Sequence, residues 1–157
     1  MALVLGTTYD NIWFNVVIDK IRDVIVTDRN YSNAYISPIY QDKGSYSVRI
    51  WGNSAETVKY VASEWQKEYE IEIVLYEASP SPNEIFYKTF YSDIERLYQV
   101  LYNDLKSATV SSDGTNFTLI DGQVGAIEIN NLTEAEEAVD GLHSATITFS
   151  CSVFRPD

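Results

Sequence analysis

His143 is the chain's one histidine and Cys151 its one cysteine, which sets a narrow limit on the chemistry open to it. A hydrolytic triad or a histidine-based zinc site needs partners around His143, and no second histidine is available. Cys151 is the one candidate thiol for a cysteine–histidine pair. It lies in the run Ala145, Ile147, Phe149, Cys151, Val153, which alternates with Thr146, Thr148, Ser150 and Ser152. That spacing puts the thiol on the apolar face of a strand, where it reads as a buried structural group.

The carboxylates Glu68, Glu70 and Glu72 share a strand face in the same way. Same-face neighbours on a strand stand about 6.5–7 Å apart, a separation that catalytic carboxylate pairs use. Such a row beside Lys67 reads as a solvated face, and nothing flanking it predicts a pocket that would separate the two pKa values. Gly122-Gln123-Val124-Gly125 is too short to cradle a phosphate and no lysine follows it. Asp113-Gly114-Thr115-Asn116 lacks the acidic spacing of a calcium loop. Trp51, Trp65 and Tyr69 are the residues for a stacking platform on sugars or bases, but cations are scarce around them, so a core or subunit-interface role is expected. No catalytic, cofactor-binding or metal-ligating residue is therefore assigned, and no cofactor is expected.

The elements that position these residues follow from periodicity. Thr8 or Asp10 is expected to cap a first helix reaching about Asp28, with Ile12, Trp13, Val16, Val17, Ile21, Val24 and Ile25 at helical spacing. Its many β-branched residues are poor helix formers, so packing must hold it. Tyr35–Gln41 and Tyr46–Trp51 are expected to form a hairpin about Asp42-Lys43-Gly44, with Pro38 marking an edge. Gly52-Asn53-Ser54 should break the second strand, and Thr57–Trp65 is ambiguous between strand and helix. Lys67–Glu77 is a strand, with Tyr69, Ile71, Ile73 and Leu75 on one face. Ser79-Pro80-Ser81-Pro82 admits no helix. Asn83 then caps a helix from about Glu84 to Ser107, with Phe86, Phe90, Ile94, Leu97, Leu101 and Leu105 as its buried stripe and Tyr87, Tyr91, Tyr98 and Tyr102 beside it. Ser111–Gly114 is expected as a loop. Asn116–Ile120 and Gln123–Ile129 are short strands about Asp121-Gly122, and Asn130–Gly141 is an acidic connection. The expected fold is α+β: one domain over residues 1–157, with two helices packed on one face of a mainly antiparallel sheet.

The whole chain has 157 residues, 45% of them hydrophobic, enough to bury a core without disulfides or metal. Tyrosine is abundant at 12 residues, a type that serves cores and interfaces alike. No stretch is apolar enough for the roughly 20-residue span of a membrane helix. Met1–Thr8 lacks the basic start of a signal peptide, so a soluble protein made in a cytoplasm is expected. The formal net charge is −12. After Lys106 the only cation is Arg155. Such a surface cannot supply the Lys and Arg contacts that drive nucleic-acid binding.

The order of elements from Asp10 to Phe154 resembles the tail terminator, or tail-completion, proteins of tailed bacteriophages. The stretches most similar to that family are Asp121-Gly122-Gln123-Val124-Gly125-Ala126-Ile127-Glu128-Ile129 and the run from Gly141-Leu142-His143 through Phe149-Ser150-Cys151. The resemblance implies a virion protein that forms a homo-oligomeric ring, typically hexameric, at the head-proximal end of the tail tube. Such a ring ends tube growth and meets the neck or connector protein, and DNA passes through it without specific binding. No enzymatic activity is implied. Two alternatives stay open: another head–tail connector or tail-tube component, and a small carbohydrate-active enzyme or binding module that uses the Glu68–Glu72 row.

Overall fold

The computed structural model describes residues 11–29, 34–36, 46–60, 65–79, 83–105, 107–112, 115–132 and 142–155. The first helical segment opens as a π-helix over Ile12–Ile18 and continues as α1, Asp19–Arg29. Its cap is Asn11, whose side-chain oxygen accepts the Phe14 N–H at 3.1 Å. The expected caps, Thr8 and Asp10, lie outside the described residues. The segment IWFNVVI carries four β-branched residues, Ile12, Val16, Val17 and Ile18, that crowd a regular helical turn, and it winds wider. Ile12, Val16, Val17 and Ile18 are buried along it, so packing supplies what propensity does not.

Strand β1 is Ala34–Tyr35, β2 is Tyr46–Tyr60 and β3 is Trp65–Ala78. Of the expected hairpin between Tyr35–Gln41 and Tyr46–Trp51, residues 37–41 lie outside the described residues, and the described start runs in the other direction. Ala34 and Tyr35 pair with Val48 and Arg49 in parallel. Alternation fixes which face a side chain takes but not the direction of the neighbouring strand, and the turn residues 42–44 lie outside the described residues. Nor does Gly52-Asn53-Ser54 break β2. The strand continues to Tyr60 against β3, with a register shift between Gly52 and Ser54. A bulge absorbs the extra residue, and Asn53 is held by donating to Glu70 Oε1 at 2.6 Å. A Cβ at Gly52 would lie 2.4 Å from Trp13 Cζ3, so a larger residue there would have to displace the indole.

Helix α2 spans Glu84–Leu105. Asn83 caps it as expected, accepting the Phe86 N–H at 3.0 Å. Phe90, Ile94, Leu97, Leu101 and Leu105 are buried and Phe86 packs half-buried against the same core. Val100 and Asp93 join the buried face. Helix α2 stops two residues before its expected end, and β4, Ser107–Ser112, begins at once. The expected loop from Ser111 therefore starts later, since Ser111 and Ser112 pair with Asn116 and Thr115. The two strands expected about Asp121-Gly122 are one, β5, Thr115–Leu132. Its irregularity is absorbed by register shifts between Ile120 and Gln123 and between Val124 and Ala126. Asp121 takes a positive φ of 55°, a conformation that aspartate tolerates better than most residues. Strand β6, Leu142–Arg155, is the last described element.

Among the described residues the sheet has six strands in the order β1-β2-β3-β6-β5-β4. All neighbours are antiparallel except β1 and β2. Both helices lie on one face, so the architecture is the expected α+β layering. Val48, Ile50, Tyr69, Ile71, Ile73, Leu75, Phe117, Leu119, Ala145, Ile147, Phe149, Cys151 and Val153 form the sheet's side of the core.

Candidate functional site

Strand β6 carries both residues that could have made a nucleophile–base pair, and it keeps them apart. Cys151 follows His143 by eight positions, about 26 Å along an extended strand at roughly 3.3 Å per residue. His143 is buried in an aromatic cage at the start of α2. Its ring lies 4.8 Å from Phe86, 5.3 Å from Tyr87 and 5.8 Å from Phe90. Its Nε2 and the Tyr87 hydroxyl are 3.1 Å apart, at hydrogen-bond distance. This histidine ties α2 to β6.

Cys151 is buried directly across from Tyr69 on β3. Burial, with a smaller contribution from the negative charge of Glu68, pushes the thiol up to about 12. Burial likewise pushes the Tyr69 phenol up to about 12, with the neighbouring Cys151 adding to it. The folded chain therefore holds both protons to a higher pH than the unfolded chain does. The stability that this pair confers is complete below the ordinary thiol pKa and is lost as pH rises toward about 12. Unfolding titrations should show stability falling steadily above about pH 9, and Cys151→Val should remove part of that fall. A stability profile flat through that range would contradict the burial of the pair. At neutral pH, Cys151 should react with thiol reagents only as fast as the protein opens. Rapid stoichiometric labelling of native protein would place the thiol at the surface.

The glutamate row divides. Glu68 is exposed, while Glu70 and Glu72 are half-buried and Glu70 accepts from Asn53. The three aromatic residues do not make one platform. Trp65 and Tyr69 lie on the core side, Trp65 tilted against Phe117 at 6.2 Å and Tyr69 edge-on to Trp13 at 4.8 Å. Trp51 pairs with Glu72 and so takes the opposite face. Among the described residues no group of three or more His, Cys, Asp or Glu gathers to hold a metal ion.

Sequence reasoning missed a cleft. Glu68 lines an open depression of about 580 Å³ with Tyr98, Tyr102, Asp121, Gln123, Ser150 and Ser152. The i, i+4 tyrosines were visible as a flank of the helix stripe. What the sequence could not show is that the β5 irregularity at Asp121 faces them. Tyr98 is 39% and Tyr102 51% exposed, so they border the core more than they widen it. Also unforeseen were three buried charged side chains, Arg49, Glu77 and Asp93. The Arg49 guanidinium lies 4.4 Å over the Tyr35 ring, which ties the two-residue β1 to β2.

The remaining surface of interest is the sheet's margin. Among the described residues, β4 pairs with β5 only as far as Ile120, and β1 pairs with β2 only at Val48 and Arg49. The stretches beyond, Gln123–Leu132 and Gly52–Tyr60, carry strand backbone with a described neighbour on one side alone. Side chains over Gly52–Val58 and Gln123–Ile129 are largely exposed, with Ile129 at 49% and Val58 at 55%. Unpaired strand edges of this length recruit further strands.

No family model matches the chain, and no curated protein matches it. Among solved structures, one protein without a descriptive name superposes with a TM-score of 0.40 at 11% identity, over 86% of this chain and 94% of the other. At that level the likeness assigns neither family nor function. No described helix is long and apolar enough to cross a membrane.

Proposed function

We propose that this chain is a structural virion protein that assembles into a ring at the head-proximal end of a phage tail tube, ends tube growth and joins the tail to the neck or connector protein. The observation that carries the reading is the pair of strand edges, at opposite margins of one sheet, that have no second neighbour among the described residues. Such edges add a neighbour on each side, and closed symmetry makes the addition finite. The resemblance in element order supplies the place in the virion. DNA passes through the ring without specific binding, because a chain of net charge −12 cannot release enough counterions from phosphate. Electron microscopy of native particles with a label on this protein tests the assignment. A label at the head–tail junction supports it. A label distributed along the tube would move the reading to a tube component, and absence from the particle would remove the virion role.

A second reading draws on the cleft. Two tyrosines and the carboxylates Glu68 and Asp121 around one depression are groups that hold sugars. Calorimetric titration with neutral oligosaccharides tests it. Saturable binding that Tyr102→Ala abolishes would favour a carbohydrate-binding module, and absence of heat would leave the cleft as part of the assembly surface.

A further inference from the structure

The two margins left open among the described residues are not level with each other. On β2, Gly52 pairs with Ile71 and Thr57 with Lys67, and these pair in turn with Phe149 and Val153 of β6. The free part of β2 therefore lies beside the C-terminal half of β6. On β5, Gln123 pairs with Ser150 and Leu132 with Leu142, so its free part lies beside the N-terminal half of β6. The short strands β1 and β4 cover the complementary halves. The sheet is stepped diagonally. Directions follow from the same pairings: β2 runs with β6, and β5 runs against it.

We propose that these two edges bind each other between copies of this chain, so that the free part of β5 on one subunit pairs with the free part of β2 on the next. The proposal deepens the ring reading and rests on it. A second copy set beside the first in the same orientation brings β2 against β5 antiparallel. Shifting that copy along the strands aligns the two free halves, and β4 and the neighbour's β1 then fall at opposite ends of the joint without competing for it. Charge points to the same occupant. On a chain of net charge −12, Gly52–Val58 contains one acid, Glu56, and Gln123–Ile129 contains one, Glu128. Like-charged copies meet with least repulsion at such surfaces. The contact is head-to-tail, so it leaves one edge of each kind unused until a ring closes. The shift between neighbours tilts the strands against the ring axis, as closed sheets require.

The test uses Val58→Glu and Ile129→Glu, both at exposed positions, each setting a charge in one edge near the acid of the other. Mass is measured by light scattering at high protein concentration and moderate salt, with circular dichroism melts to verify folding. Each variant alone should stay at single-chain mass where the unmodified chain forms rings. An equimolar mixture should stop at pairs, because only one intact joint exists between the two variants. Rings from either variant alone, or a mixture that stays at single-chain mass, would overturn edge pairing and leave the ring reading standing. An unmodified chain that remains single in every condition would overturn both.

Discussion

Leu101→Ala is expected to cost about 2–5 kcal/mol of folding stability, through lost transfer energy and the cavity left behind. Leu101 is fully buried in the stripe by which α2 contributes to the core. Ile71, Ile73, Ile147 and Phe149 of the sheet are fully buried in the same cluster. For a chain of this length the loss corresponds to a melting temperature lower by roughly 4–20 °C. Ile85, 75% exposed on the same helix, is the control, and Ile85→Ala should change stability by no more than about 0.5 kcal/mol. An unchanged melting temperature for Leu101→Ala would mean that the wrong face of α2 is buried.

Gly122→Ala should be nearly as damaging, for the opposite reason. A Cβ at this position would lie 2.0 Å from the Leu105 carbonyl oxygen and 2.8 Å from its carbonyl carbon, with Phe149 Cζ at 3.1 Å. The first two are backbone atoms at the end of α2 and cannot swing aside. Either the helix end lifts from β5 or the bulge unwinds, and overpacking of this kind costs about 1–3 kcal/mol. Gly125 lies on the same strand, and a Cβ there would meet only the Thr148 carbonyl oxygen at 3.7 Å. Gly125→Ala should therefore be tolerated in denaturant titration. Equal effects at both positions would contradict the close approach of α2 to β5.

The readable parts of this fold were those with a period. Alternation from Ala145 to Val153 and from Tyr69 to Leu75 gave the buried faces of β6 and β3. The spacing from Phe90 to Leu105, behind the Asn83 cap, gave α2. What stayed hidden depended on partners. Gly52-Asn53-Ser54 carries the composition of a break, yet the ladder to β3 and the packing of Trp13 on Gly52 carry the strand through it. Asp121-Gly122 reads as a turn between two strands, yet pairing with β6 on both sides joins them around a bulge. The parallel pairing of Ala34 and Tyr35 with β2 has no local signature. The same limit applied to the candidate site. The buried role of Cys151 was legible from strand phase, while that of His143, ahead of the alternating run, was not. The cleft at Glu68 was not, because it joins residues from β3, α2, β5 and β6 that no spacing relates. The stepped margins are likewise a property of pairing lengths.

Assembly is the central claim, and solution mass across protein concentration and salt tests it most directly. Each chain weighs 17.8 kDa and carries a net charge of −12. Repulsion among copies opposes closure, and it is screened within about 8–10 Å at ionic strengths near 0.1–0.15 M. The isolated protein is therefore expected at single-chain mass when dilute and at low salt. It should shift to one defined multiple, six if the tail-terminator resemblance holds, as concentration and salt rise. Double-stranded DNA added at physiological salt should leave both species unchanged. A chain that stays at single-chain mass across the whole range, or an oligomer that dissociates as salt is raised, would contradict the account.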